Sequence, residues 1–307
     1  MLYISTRNTV DTYTAYRALH EGIAPDGGSY IPFHLHVFSG AELLKMRENS
    51  CSDAIAEILN LFFGLRLTGL DVESAIGRTP FQIESLGQRL TVAEAWRNPN
   101  GNIHYLINNL YRLACGETYH GQQPAGWALI AIQIALLFGI YVSMDVTAGE
   151  RFDVAVPVGD FSDVVAVLYA KSIGLPIGLT ICACNEDGAI WDFIYRGQLS
   201  TNGTNASFVE IFIQKLFGAD AAKCYVNASS KGQFFYINEL QQQTVTDYLY
   251  ASVVSTGRID SVISGMYQSN KYYFDRNAAL SFAALQDYRA HNGRNRETLI
   301  FAKKRSS

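Results

Sequence analysis

Apolar positions along this chain follow two spacings, and the clearest change from one to the other falls within residues 152–183. Phe152 to Pro157 is a short apolar run of the kind a buried strand shows, and it enters the turn Pro157-Val158-Gly159-Asp160-Phe161-Ser162-Asp163. Beyond the turn, Val164, Val165, Leu168 and Ile173 keep helical spacing until Gly174, and a second apolar strand follows Pro176. The pattern predicts a strand, turn, helix, strand unit whose turn can aim backbone N–H groups at an anion.

The same reading extends over the rest of the chain. Residues 3–8 lead into a helix ended by Gly22, and Ala24-Pro25-Asp26-Gly27-Gly28 predicts a tight turn into a short strand over 29–31, stopped by Pro32. Ser39 with Glu42 fits a capping box, and Ile55, Ile58, Leu59 and Phe62 form a helical stripe closed by Gly64. Residues 81–92 read as extended, and a turn over 96–101 feeds a helix with Ile103, Leu106, Ile107 and Leu110 inward. A polar connector over 115–126 joins this helix directly to the most apolar run, 127–142, which Gln133 interrupts. That run is short for a membrane span and reads as a buried core helix. Helices are predicted over 189–195, 208–216, 245–254 and 278–288, and a last strand over 297–301.

Composition narrows the function classes. With 307 residues, 49% hydrophobic and 17% charged, the chain is globular rather than disordered or fibrous. A net charge of −4, with Lys303-Lys304-Arg305 as the one basic cluster, argues against nucleic acid as a partner, and the cluster reads as a solvated tail. Five cysteines without regular spacing argue for a reducing compartment, and the absence of a charged-then-apolar leader fits a cytoplasmic location. Cys182 and Cys184 share one face of a strand and read as buried small hydrophobes. His34 and His36 alternate, but no acid or cysteine follows at ligand spacing, so no metal is expected.

Several motifs taken together resemble a known family. Tyr3 to Arg7 matches Tyr-x-Ser-Thr-Arg, and Gly22 to Pro32 matches a Gly-Leu-Ala-Pro-Asp-Gly-Gly-Leu-Tyr-x-Pro turn. Val156 to Asp163 looks like Val-Pro-x-Gly-Asn-Phe-Gly-Asp, Ala170 to Ile177 like Ala-Lys-x-x-Gly-Leu-Pro-Ile, and Cys184 to Gly188 like a Thr-Asn-Glu-Asn-Asp run. A weaker echo of Asp-Pro-His-Thr-Ala lies at Asp275 to Ala279. These are motifs of the threonine synthases, pyridoxal-phosphate (PLP) enzymes of fold type II, and the chain resembles them from end to end with one large gap. The resemblance implies an α/β fold: a three-layer large domain of the tryptophan-synthase-beta-like kind, with the small cofactor domain largely deleted. It implies an N-terminal threonine-synthase-type segment over 1–95, a remnant of the cofactor-lysine helix with a shortened connector over 96–126, and the large domain over 127–307.

Departures from the family pattern fall at its chemical positions. Laying Pro99 on the Pro of Gly-Pro-Thr-x-x-Phe-Lys-Asp-Phe puts His104 at the cofactor lysine, and no lysine exists between Lys45 and Lys171. In the phosphate turn Asp160 and Ser162 replace Asn and Gly. A carboxylate roughly 4 Å from phosphate at an effective dielectric near 20 costs on the order of 4 kcal/mol per charge. Phe301-Ala302-Lys303-Lys304 resembles the family's Thr-Ala-His-Pro run along the pyridine side, with Phe301 in place of the Thr. The expectation is that PLP has been lost, leaving a pseudoenzyme that serves as a binding or partner subunit, in a homo-oligomer or with another protein. The alternative is a PLP-independent enzyme acting on an amino-acid-like molecule. In it His104 and Asp160 are the candidate acid–base groups, and Gly159, Asp160, Phe161, Ser162, Asn185 and Glu186 the candidate ligand-binding set. Asp163, with Asp160 beside it, is also expected to cap the helix that follows.

Overall fold

A computed structural model describes residues 1–147, 149–186, 188–201 and 206–304. Asp187 of the run after the second strand and Arg305 of the basic tail therefore lie outside the described residues. The chain begins β1 (Leu2–Ser5), β2 (Tyr13–Thr14), α1 (Ala15–His20), β3 (Tyr30–Pro32), α2 (Gly40–Arg47), α3 (Cys51–Phe63) and α4 (Gly69–Ile76). Then come β4 (Gln82–Ser85), β5 (Leu90–Glu94), α5 (Ile103–Cys115), α6 (Trp127–Ser143), β6 (Phe152–Pro157), α7 (Ser162–Ser172), β7 (Ile177–Cys184), α8 (Ala189–Arg196) and β8 (Gln198–Leu199). The remainder is α9 (Ala206–Phe217), α10 (Ala219–Ser230), β9 (Phe235–Tyr236), α11 (Glu239–Thr246), β10 (Leu249–Val253), α12 (Thr256–Asn270), α13 (Arg276–Asn292) and β11 (Thr298–Ala302).

The central sheet has six strands in the order β10-β7-β6-β11-β5-β4, parallel except for the β4–β5 hairpin. Its side chains alternate between two cores, as the pleat requires. Phe152, Val154 and Val156 of β6 join the core built with α3, α6 and α7, whereas Ala155, Ile181, Ala183 and Ile300 face α12 and α13. Both faces are therefore covered, which is the three-layer α/β arrangement expected for parallel strands. A separate three-stranded antiparallel sheet, β2-β1-β3, packs at the N-terminal side.

Local signals account for the N-terminal helices. Ser39 and Glu42 form the capping box of α2, and Gly64 ends α3 in the left-handed region, as the spacing predicts. α6 is buried nearly all round, with Gln133 as its one buried polar side chain, and no helix among the described residues is long and apolar enough to cross a membrane. The segment over 116–126 holds a single 3-10 turn and joins α5 to α6.

One element departs from its predicted type. The helix predicted over 245–254 divides into the end of α11 and the strand β10, whose flanking groups pair with β7 through Thr180 N–H to Tyr248 C=O (3.0 Å) and Val254 N–H to Cys184 C=O (2.9 Å). A short apolar run carries no period that separates a strand from a buried helix, and pairing to β7 decides it. The strand predicted over 297–301 is present as β11, but it inserts between β6 and β5 in the middle of the sheet.

Candidate functional site

In open α/β sheets ligands bind outside the carboxyl ends of the strands, where the order of strands reverses. Here β6, β7 and β10 advance across the sheet, and β11 doubles back into the gap between β6 and β5. The carboxyl ends of β6 and β11 thus meet, and the turn after β6 lies over them.

That turn is pinned by Val158 N–H donating to Ala183 C=O at 2.9 Å. Phe161 then adopts φ +70°, with its ring buried against Phe212 at a centroid distance of 5.4 Å. A bulky residue in this region stores on the order of 1–3 kcal/mol of strain, held here by ring packing. Asp160 accepts two hydrogen bonds from Ser162, from its backbone N–H at 3.0 Å and its hydroxyl at 2.6 Å. Its carboxylate therefore occupies the start of α7, where helix N–H groups and dipole favour negative charge.

Asp163 does something else. Both its oxygens accept hydrogen bonds from the Lys303 ammonium, and Oδ1 also accepts one from Gln133 Nε2 at 3.0 Å. Gln133 Nε2 reaches Ser162 Oγ as well, at 3.3 Å. Of the two aspartates expected as caps, Asp160 holds the helix N-terminus and Asp163 is an ion-pair partner. The solvated tail is corrected at the same point. Lys303 and Asp163 side chains are only 17% and 20% exposed, and Lys303 C=O accepts Ile103 N–H at 2.8 Å, folding the segment after β11 across the start of α5. Behind the pair lies a cavity of about 20 Å³, lined by Gln133, Leu137, Val156, Asp163, Phe301 and Lys303. It is large enough for about one water molecule.

The structure thus gathers Asp160, Phe161 and Ser162 with Gln133, Asp163 and Lys303. His104 lies exposed in the first turn of α5, next to Ile103 and so beside the strand end that carries Lys303. Asn185 and Glu186 are exposed just beyond β7, where Gly188 N–H donates to Asn185 C=O at 3.2 Å. Sequence reasoning did not place Gln133 here, whereas Lys303 belongs to the Phe301 to Lys304 run that the resemblance sets beside the pyridine. The one local signal was the lone polar residue inside the apolar run of α6.

Comparison with known proteins gives this arrangement a context. Residues 2–79 match the family described as threonine synthase N terminus. Mouse threonine synthase-like 1 is 27% identical over 192 residues, 54% of this chain and 25% of its own length. Threonine synthase of Methylobacillus glycogenes is 32% identical over 111 residues, 32% of this chain and 23% of its own. The chain therefore spans about a quarter of the length of these curated relatives. In fold, a PLP-bound threonine synthase from Brucella melitensis superposes with a TM-score of 0.84 at 16% identity, covering 99% of this chain and 89% of the other. Yeast threonine synthase gives 0.80 at 16% identity, covering 99% and 87%.

These structures overturn the expectation that the cofactor has been lost, because the fold is one that holds PLP. The physical reason lies in the lysine count. The lysine-free span from 46 to 170 excludes an amine only from those residues, and folding delivers Lys303 to the crevice from 140 residues beyond Asp163. The groups present fit the chemistry: a primary amine on Lys303, a hydroxyl on Ser162, backbone N–H groups at the start of α7, and the buried, unpaired acceptor Gln133 Oε1. When bound, PLP supplies an electrophilic aldehyde and an electron sink, and Lys303 and Ser162 are the residues here that would hold it. Asp160 would have to release the Ser162 N–H for a phosphate to take it. Residues 2–79 match the threonine synthase N-terminal family, threonine synthases are among the relatives to which the chain is similar, and its fold is that of the threonine synthase structures.

Proposed function

We propose that this chain is a threonine-synthase-like pseudoenzyme that does not form threonine and serves as a partner subunit in amino-acid metabolism. One observation carries the reading: the amine that reaches the crevice, Lys303, is engaged in an ion pair with Asp163, whose Oδ1 also accepts from Gln133. The test is growth of a threonine auxotroph lacking its own synthase. The expected result is no growth with the expressed, folded chain, and growth without added threonine overturns the proposal. Sedimentation of the purified chain, alone and mixed with a complete threonine synthase, then reads whether its partner is a second copy or the other chain.

A second reading is an enzyme of different chemistry acting on an amino-acid-like molecule. It is favoured by the exposure of His104 beside the crevice and by Asp160 at the turn. In that case His104→Ala abolishes a defined activity with little change in melting temperature, whereas a mainly structural role lowers the melting temperature instead.

A further inference from the structure

At the far end of α7 from the crevice, about 15 Å along the helix axis, lies a cavity of about 370 Å³ lined by Leu168, Lys171, Ser172, Lys215, Leu216, Thr244 and Tyr248. Lys171 and Lys215 both line it and no carboxylate does. Lys171 Nζ donates to Gly178 C=O at 2.5 Å and lies 4.8 Å from the centre of the Tyr248 ring. Lys215 Nζ lies 4.6 Å over the Tyr169 ring.

The hydroxyls on the wall have already given their protons inward, Ser172 to Tyr169 C=O and Thr244 to Leu240 C=O. The donors left for a guest are the two ammonium groups and the partly exposed Tyr248 hydroxyl. We propose that this cavity binds a small anion, drawn by Lys171 and Lys215.

Charge counting favours this occupant. Each lysine sits in the last turn of its helix, α7 or α9. A helix C-terminus contributes about half a negative charge, so two of them offset roughly one of the two positive charges. Burial pushes both ammonium groups below the usual lysine range, and for Lys171 the nearby Arg151 adds to that, opposed by Asp153. The carboxylates of Asp153 and Asp247 act on Lys171, whereas burial alone acts on Lys215, and an anion entering the cavity offsets the cost of burying that second cation. The aliphatic walls of Leu168 and Leu216 leave room for a small body behind the charged head, and the volume falls in the range of small-molecule sites.

The experiment uses the full chain and inorganic phosphate as the probe, with sodium chloride holding ionic strength constant. Calorimetric titration of the wild type is expected to show saturable binding with one phosphate per chain. Lys215→Met is expected to weaken it by at least about tenfold, with Lys215→Arg restoring most of the affinity. No saturable binding to the wild type, or equal affinity in Lys215→Met, overturns the proposal. If Lys215→Met does not fold, Lys171→Gln is read in its place by the same criterion. The inference does not rest on the crevice, so growth of the auxotroph would leave it standing.

Discussion

Lys303 and Asp163 show how much a single residue depends on what folding places beside it. Their side chains are mostly withdrawn from water and satisfy each other, with Gln133 as a third member. Removing one partner leaves a part-buried charge without its counter-charge, so Lys303→Met is expected to cost about 1–3 kcal/mol, read as a lowered urea midpoint. Replacing both, as Lys303→Met with Asp163→Leu, is expected to recover most of that loss, because an apolar pair of similar volume has no charge to leave unpaired. A double variant no more stable than the single one would show that the pair is not the source. The pair itself was not legible in the sequence, where Lys303 reads as part of a solvated run of three basic residues even though the resemblance sets Phe301 to Lys304 beside the pyridine. Its partner is 140 residues away, and only the insertion of β11 beside β6 brings the two together. The turn itself was legible, because Gly159 to Asp163 sits between a strand pattern and a helix pattern that are both local. The left-handed Phe161 was not, since its conformation depends on Phe212 of α9.

At the scale of elements, the contact between α3 and α6 shows why some positions tolerate no side chain. A Cβ added at Gly139 of α6 would lie 2.8 Å from Ile55 Cγ1 and 3.1 Å from Cys51 Sγ on α3. Alanine gains about 1 kcal/mol of helix propensity over glycine, but overpacking a closed core costs about 1–3 kcal/mol. Gly139→Ala is therefore expected to lower the melting temperature, and adding Ile55→Val is expected to restore part of it by removing the nearest carbon's neighbour. Equal melting temperatures for Gly139→Ala and the wild type would show that α3 and α6 can move apart at no cost. The helices around this contact were readable because their stops and starts are local chemistry, as with Ser39, Glu42 and Gly64. β10 was not, because its five residues become a strand only against β7.

For the molecule as a whole, one buried carboxylate ties the start of the chain to α9, in addition to the packing of α3 on α6. Glu210 of α9 accepts from Arg7 twice, Nε to Oε1 at 3.0 Å and Nη2 to Oε2 at 2.9 Å, and from the Thr6 hydroxyl. The Glu210 side chain is 3% exposed, so Arg7→Met would strand its charge and is expected to cost about 3 kcal/mol. Proteolysis that clips first near residues 1–30 in this variant, and not in the wild type, would locate the loosening at this clasp. A single cooperative unfolding with unchanged cleavage sites would show that other contacts carry the junction. The Tyr3 to Arg7 motif was visible in the sequence as a resemblance, but its physical role needed α9.

β11 carries a consequence for how the protein reaches this state. Its neighbour β5 lies about two hundred residues away in sequence, as the Thr91–Glu297 hydrogen bond across 206 positions records. Until β11 arrives, the strands that flank it, β5 and β6, expose two unpaired edges around an empty slot. Closing a loop of that length is slow, and open edges invite pairing with other chains. The step that completes the crevice is thus also the step at which a refolding chain is most exposed to aggregation, and the rate at which β11 docks sets how long that exposure lasts.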